Sequence, residues 1–151
     1  MIQTRGFIKR PRAFYTSLVQ THLAVKKTNL IIQSMIITKK NPFTKEEIQK
    51  LRDLFDTYIK IVIDIENEIC SAGCDRHFKS EKILLDADSL QENIWGGGID
   101  LETKIIDFNS FINIRPNDNN TSNEIQNGKI RGKYEKLTKY FFREMYERHT
   151  T

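Results

Sequence analysis

The sequence predicts an α+β domain in which a small antiparallel sheet of two hairpins packs against an N-terminal and a C-terminal helix. Isoleucines alternate with other residues at residues 57–65 and again at residues 105–115, which is the pattern of strands with one buried face. Apolar residues at helical spacing stand outside these strands, at residues 44–56 and 127–148. Helices before and after paired strands favour an antiparallel sheet that is covered on one face.

The first predicted helix begins at Thr44. Thr44 and Glu47 have the spacing of a capping box, in which each side chain bonds the other residue's backbone N–H. Ile48, Leu51 and Phe55 then form one apolar stripe, and the helix should end near residue 56.

The strand at residues 57–65 is the best defined element of the sequence. Its buried face carries Ile59, Ile61, Ile63 and Ile65, and its opposite face carries Tyr58, Lys60, Val62 and Asp64. Turn-tolerant residues follow at 66–68, so we expect a hairpin that pairs residues 57–65 with 68–72.

The middle of the chain predicts a short helix at residues 77–87. Its inward side chains are either Phe78, Lys82 and Leu85, or Ile83 and Leu84. The segment from Trp95 to Gly98 is predicted to be a turn or loop, because three consecutive glycines weaken any regular element.

The second alternating segment predicts a strand at residues 105–115, joined to residues 99–101 by a turn at 102–104. One face would carry Ile106, Phe108, Ile112 and Ile114, and the other Asp107, Asn109, Asn113 and Arg115, with Phe111 out of place among the polar residues. Pro116 ends the strand, because proline has no N–H to donate. A polar loop at 117–123 then leads to the last helix, whose inward residues are Ile130, Tyr134, Leu137, Phe141 and Met145.

The charge of the chain is unevenly distributed. The formal net charge is +4, yet the first 34 residues contain six lysines and arginines and no acid, so the remaining residues carry a charge of −2. A nucleic-acid-binding domain needs basic residues on the domain itself, so this distribution argues against that class. We expect residues 1–34 to lie outside the fold, either as an organellar transit peptide or because translation starts at Met35, and residues 35–151 to form a single domain.

Cysteine content predicts neither disulfides nor metal. Cys70 and Cys74 are the only cysteines, and as partners on one extended strand they would be too far apart to bridge. Cys70, Cys74 and His77 supply three of the four ligands that a structural zinc site needs, so we expect no metal and no cofactor. The expected compartment is the cytoplasm, and no run of apolar residues is long enough to span a membrane.

The most interesting polar residues are Lys60, Asp64, Asn113 and Arg115, which would line one patch if the two strands are neighbours. A solvated sheet face is the plainer interpretation of the same alternation. Arg115 could hold a carboxylate or phosphate, or pair with Asp64 or Glu124 as part of the structure. His77 could be a general base oriented by Asp75, Glu81 or Asp64, or it could be an ordinary residue at the start of a helix.

Several segments together resemble a prokaryotic family known as domain of unknown function 5674. They are YIKIVIDIENEI, DADSLQENIWG, INIRPNDNN, the triplet from Asn123 to Ile125, and the opening MIITKKNPFTKEEIQKL; together they span about residues 35–142. The resemblance implies recurrent polar positions, which fall on Lys60, Asp64, His77, Ser89, Gln91, Trp95, Asn113, Arg115, Asn120, Ser122 and Glu124. It also implies a start at Met35, but no activity, substrate or cofactor.

The chain departs from that family's pattern at three positions. It has Cys74 where the family has a second glycine, Lys79 where the family has an acidic residue, and Thr121 where the family has an arginine. If His77 and the acidic residue form a catalytic pair in the family, Lys79 breaks the pair in this chain.

These residues favour a small binding module whose polar sheet face holds a small anionic ligand or a peptide carboxylate. One alternative is a small hydrolase-like enzyme that uses His77 with Asp64 or Glu81, and another is an interaction protein with no pocket. The sequence leaves open whether the chain forms a homo-oligomer. In the binding model, Arg115 should lie near Asp64 or Glu124, with Asn113 and Lys60 on the same side of the sheet.

Overall fold

The computed structural model describes residues 12–33 and 35–147, which fall into two units divided after Ser34. In the first unit, helix α1 spans Arg12–Gln33 and exposes the apolar side chains of Leu18, Val19, Leu23 and Val25. The sequence predicts no element there. That residues 1–34 lie outside the fold stays a prediction, and residues 1–11 lie outside the described part of the chain.

The second unit is built on a five-stranded antiparallel sheet, which confirms the predicted α+β class. The strands are β1 (Ile37–Lys39), β2 (Tyr58–Asp64), β3 (Ile69–Ala72), β4 (Ile94–Asp100) and β5 (Ile106–Asp107), in the order β1-β3-β2-β4-β5. Both predicted hairpins are present, β2 with β3 and β4 with β5. The sequence did not indicate β1, because three residues are too few to show a period.

Two helices cover one face of the sheet and form the main core. They are α2 (Lys45–Leu54) and α4 (Gly128–Phe141), and the isoleucines of β2 pack beneath them. Tyr134 of α4 is buried and its hydroxyl donates a 3.1 Å hydrogen bond to the carbonyl of Ile61. The predicted capping box at the start of α2 is confirmed, since both of its hydrogen bonds form between Thr44 and Glu47.

The last helix is shorter than predicted, ending at Phe141 and followed by a 3₁₀ turn at Arg143–Met145; residue 148 lies outside the described residues. The cause is that Phe141 and Phe142 are both buried against Phe43, with the Phe43 and Phe142 rings stacked at 4.6 Å. The backbone N–H of Phe43 also bonds the carbonyl of Phe141 at 2.8 Å. Two consecutive residues of a helix point to different sides, so the packing of both Phe141 and Phe142 on Phe43 ends the helix before its apolar pattern ends.

The second sheet face is not the solvated surface that the sequence suggested. The helix predicted at residues 77–87 is present as α3 (His77–Asp86) and lies over this face, a position that the sequence did not indicate. Val62, Leu84 and Ile94 form a second small core there. Phe78 and Leu85 are exposed, so of the two predicted inward sets the one containing Leu84 is correct. The sheet is therefore covered by helices on both faces.

The glycine-rich segment after Trp95 was predicted to be a loop and is instead the buried strand β4. A Cβ added at Gly97 would lie 2.2 Å from the carbonyl oxygen of Asp107, and one at Gly98 would lie 2.3 Å from the Tyr58 ring. The glycines therefore allow close neighbours on both faces of a regular strand, rather than marking a turn.

The predicted strand at residues 105–115 is also wrong, because only Ile106–Asp107 pairs with the sheet. Beyond it the chain forms 3₁₀ turns at Phe111–Asn113 and Pro116–Asp118. Side chains take over the backbone hydrogen bonds here: Asp107 accepts from the N–H of Asn109 at 2.8 Å, and Ser110 caps the first turn. Such local bonds compete with a β ladder.

Candidate functional site

A cleft of about 450 Å³ opens on the second face of the sheet, between the start of α3 and the turn at residues 110–112. It is lined by Lys60, Asp75, Arg76, His77, Phe78, Ser110, Phe111 and Ile112. Its volume lies within the range of about 300–1,000 Å³ that is usual for small-molecule sites. Lys60 and His77 are the two predicted site residues that the fold brings together in it.

The charge of the cleft is positive. Lys60 is half-buried on the central strand, with its Nζ 5.7 Å from the Tyr58 ring centre. Within the described ranges, neither Lys60 nor Arg76 has a carboxylate at ion-pairing distance. The one acid of the lining, Asp75, is paired with Lys79 at 2.9 Å. A half-buried ammonium group without a counter-charge is therefore available to an anion.

His77 is held in one orientation by the backbone of β4. Its Nε2 lies 2.7 Å from the carbonyl oxygen of Gly97, so Nε2 carries the hydrogen of the neutral ring. Burial lowers the pKa of His77, and nearby Lys60 lowers it further, whereas the Gly97 bond and Asp107 act in the opposite direction. Nδ1 has no hydrogen bond within the part of the chain that the structure describes, which leaves it as an acceptor.

The three carboxylates that the sequence offered as orienters of His77 all have other partners. Asp75 binds Lys79, and Glu81 accepts a hydrogen bond from Gln91. Asp64 accepts hydrogen bonds from the N–H groups of residues 66 and 67 and from the Asn67 side chain. The expected histidine–carboxylate pair is therefore wrong for these residues, because the ring of His77 bonds the Gly97 carbonyl instead and each acid bonds another partner.

The buried neutral state of His77 makes the stability of the fold pH-dependent. Its folded pKa lies below the ordinary 6.5, so the unfolded chain binds the proton more readily and stability should fall as the pH drops below about 6.5. We expect the urea midpoint of unfolding to be lower at about pH 5.5 than at about pH 7.5, a pH range that lies above the titration of the carboxylates. His77→Gln keeps a donor for Gly97 and should lose this part of the pH dependence. Parallel pH profiles for the two proteins would contradict the expectation.

Apolar side chains form the wall and rim of the cleft. Ile112 is half-buried, whereas the exposed fraction is 51% for Phe78 and 85% for Phe111. Ser110 is only 5% exposed, and its hydroxyl accepts a long 3.4 Å bond from the N–H of Ile112. That hydroxyl donates to no acceptor among the described residues, so its proton is available to a ligand.

Asn113 lies in the interior and serves the backbone. Its Oδ1 accepts a 2.8 Å bond from the N–H of Gly96, and its Nδ2 donates to the carbonyls of Gly96, Phe108 and Asn123. The carboxamide thus occupies the place of a neighbouring strand residue where β5 has ended. Asn120 acts similarly: its Nδ2 donates to the carbonyls of residues 113, 122 and 124, and its Oδ1 accepts from the N–H of Gln126.

Arg115 also faces the protein interior. Its guanidinium stacks on the Trp95 ring at 3.8 Å from the ring centre and donates hydrogen bonds to the carbonyls of Gln91 and Ile94. The carboxylate nearest to it is Asp118, at 3.9 Å. The expected pairing with Asp64 or Glu124 is wrong, because Asp64 closes the turn after β2 and Glu124 pairs with Arg131. The cause is that the predicted strand does not form, so Arg115 does not share a sheet face with Lys60.

The remaining predicted residues lie apart from the cleft. Ser89 is buried, Gln91 bonds Glu81, and Ser122 bonds its own loop backbone. The ligand-accessible residues that the sequence interpretation missed are Arg76, Phe78, Ser110, Phe111 and Ile112. One sequence signal pointed to them: Phe111 breaks the alternation of its segment by standing among polar residues.

No group of three or more histidine, cysteine, aspartate or glutamate side chains suited to a metal occurs in the described part of the chain. Cys70 and Cys74 are free and buried, and burial raises the pKa of both thiols. Among the described helices, none is long and apolar enough to cross a membrane.

The fold and the cleft together define a small α+β protein with a partly cationic, aromatic-rimmed cleft on a face of its sheet. The chain belongs to the family described as Protein of unknown function (DUF5674), whose model matches residues 18–141. This match begins inside the segment that was expected to precede the domain. No curated protein and no solved structure matches the chain.

Proposed function

We propose that the protein is a binding module and that its cleft holds a small organic anion with an apolar body. The observation that carries this proposal is Lys60, a half-buried cation without a carboxylate partner in the described chain, set in a cleft whose other walls are largely apolar. An anionic group would supply the missing counter-charge, and an apolar body would cover Phe78 and Ile112.

The start of α3 adds polar groups suited to the same anion. The residue before the helix, Arg76, makes no side-chain cap, so the first backbone N–H groups of the helix are not occupied by a side chain. Three kinds of donor belong to residues that line the cleft: the first backbone N–H groups of α3, the Ser110 hydroxyl and the Lys60 ammonium. A carboxylate needs several donors around it to offset its loss of water, and this set provides them.

The proposal is tested with phenylacetate, which joins a carboxylate to a ring small enough for the cleft. In an NMR titration of the full chain, we expect phenylacetate to shift the backbone signals of His77 and Ser110. The dissociation constant obtained from these shifts should be at least about tenfold higher for the neutral phenylacetamide. Lys60→Met should weaken phenylacetate binding to a similar degree. The matched control is Lys136→Met on the exposed side of α4, which should bind as the unaltered protein does. Equal shifts from the acid and the amide, or none from either, would refute the proposal.

A further inference from the structure

We propose that the natural occupant of the cleft is the C-terminal segment of another polypeptide, bound by its free α-carboxylate and its apolar last side chain. This inference rests on the proposed function, because it places the peptide carboxylate at Lys60. It adds the class of ligand and a second contact surface outside the cleft.

The first argument is the apolar surface beside the cleft. Phe111 and Ile114 are 85% and 43% exposed, and they stand three residues apart across the 3₁₀ turn at Phe111–Asn113. A 3₁₀ helix has three residues per turn, so Phe111 and Ile114, the residue directly after the turn, project toward the same side. We treat these two exposed side chains as one strip beside the cleft rim. A ligand that fills only the cleft would leave this strip in water, whereas the residues of a peptide before its C-terminus would cover it.

The second argument is that the strip is held rigidly. The turn that carries Phe111 is fixed at one end by the Ser110 cap and at the other by the four hydrogen bonds of Asn113 to backbone groups. An exposed aromatic ring on a fixed turn loses little conformational entropy when a partner covers it. Aromatic residues, phenylalanine among them, are enriched in protein interfaces relative to the rest of the protein surface.

The third argument is the position of the charge. Lys60 projects from the central strand and is half-buried, so a charged group must enter the cleft to reach it. A peptide C-terminus is narrow enough to enter and carries its carboxylate at the tip, next to its last side chain. A flat anionic membrane surface could not follow it into the cleft. Backbone and cationic donors that capture a terminal carboxylate are an established mode of peptide recognition.

The test compares two synthetic peptides, acetyl-Gly-Ser-Phe-Leu as the free acid and the same peptide as the C-terminal amide. We expect calorimetric titration of the full chain to show that the acid binds at least about tenfold more tightly than phenylacetate, and that amidation weakens binding at least about tenfold. Ile114→Ser should weaken the acid peptide about tenfold and change phenylacetate binding less than about twofold, because Ile114 belongs to the strip but does not line the cleft. Leu90→Ser is the matched control, since Leu90 is 59% exposed but does not line the cleft.

The outcomes separate this inference from the proposed function. If phenylacetate binds through Lys60 but the acid peptide binds no more tightly, or the amide binds equally well, the peptide inference is wrong and the anion site stands. An effect of Ile114→Ser on the acid peptide no larger than that of Leu90→Ser would also overturn it. If neither phenylacetate nor the acid peptide binds, both proposals fail.

Discussion

Replacing Asn113 with alanine is expected to lower the free energy of unfolding by about 3–5 kcal/mol, although Asn113 itself does not line the cleft. The carboxamide is fully buried and hydrogen-bonds the N–H and the carbonyl of Gly96 as well as the carbonyls of Phe108 and Asn123. The N–H and the carbonyl of Gly96 would be left in the interior without a partner, and an unsatisfied buried group costs about 1–3 kcal/mol. The carbonyls of Phe108 and Asn123 would keep their bonds from the N–H groups of Ile125 and Ser110. Urea unfolding of the two proteins measures the difference.

A charged isostere sharpens this test. Asn113→Asp keeps an oxygen for the N–H of Gly96 but turns a carboxylate oxygen toward the three carbonyls that the amide now bonds. The folded state would therefore raise the pKa of that carboxyl, and the variant should be unstable at about pH 7 and recover part of its stability toward about pH 5. Asn117→Ala, at an exposed position of the next 3₁₀ turn, is the control and should change stability by less than about 0.5 kcal/mol. A similar small change for Asn113→Ala would show that the carboxamide does not hold the loop.

Arg115→Ala is expected to cost about 3 kcal/mol of stability. The guanidinium is 9% exposed, stacks on Trp95, and donates to the carbonyls of Gln91 and Ile94. Removing it leaves two carbonyls without their charged donor and uncovers one face of the indole ring. Chemical unfolding is again the measurement, with Arg143→Ala at an exposed position as the control.

Substitutions at Arg115 also test whether this residue takes part in binding. Because Arg115 does not line the cleft, Arg115→Lys, which keeps the charge, should bind phenylacetate within about twofold of the unaltered protein while still losing stability. A stable Arg115→Ala variant that no longer binds phenylacetate would instead assign Arg115 to the site, as the alternation of the sequence first suggested.

Local patterns in the sequence determined β2, the start of α2 and two residues of the cleft. The isoleucines of β2 predicted the strand and the face that packs into the main core, because alternate residues of a strand point to the same side. Thr44 and Glu47 predicted the start of α2, because a capping box is made within four residues. Lys60 and His77 were placed at a candidate site by strand phase and helix position, and both line the cleft.

Contacts distant in sequence decided the rest. Taken alone, three consecutive glycines predict a loop. They lie in a strand here, where Asp107 and Tyr58 come so close to the backbone of Gly97 and Gly98 that a Cβ would not fit. Asn113 and Arg115 alternate like strand residues, yet each bonds the backbone near Gly96 or Trp95, some 20 residues earlier in the chain. The cleft itself arises where the start of α3 meets the turn at residues 110–112, so no local pattern could reveal it. A period in the sequence reports which side of an element is buried, whereas only the assembled fold determines which backbone groups need a side chain as their partner.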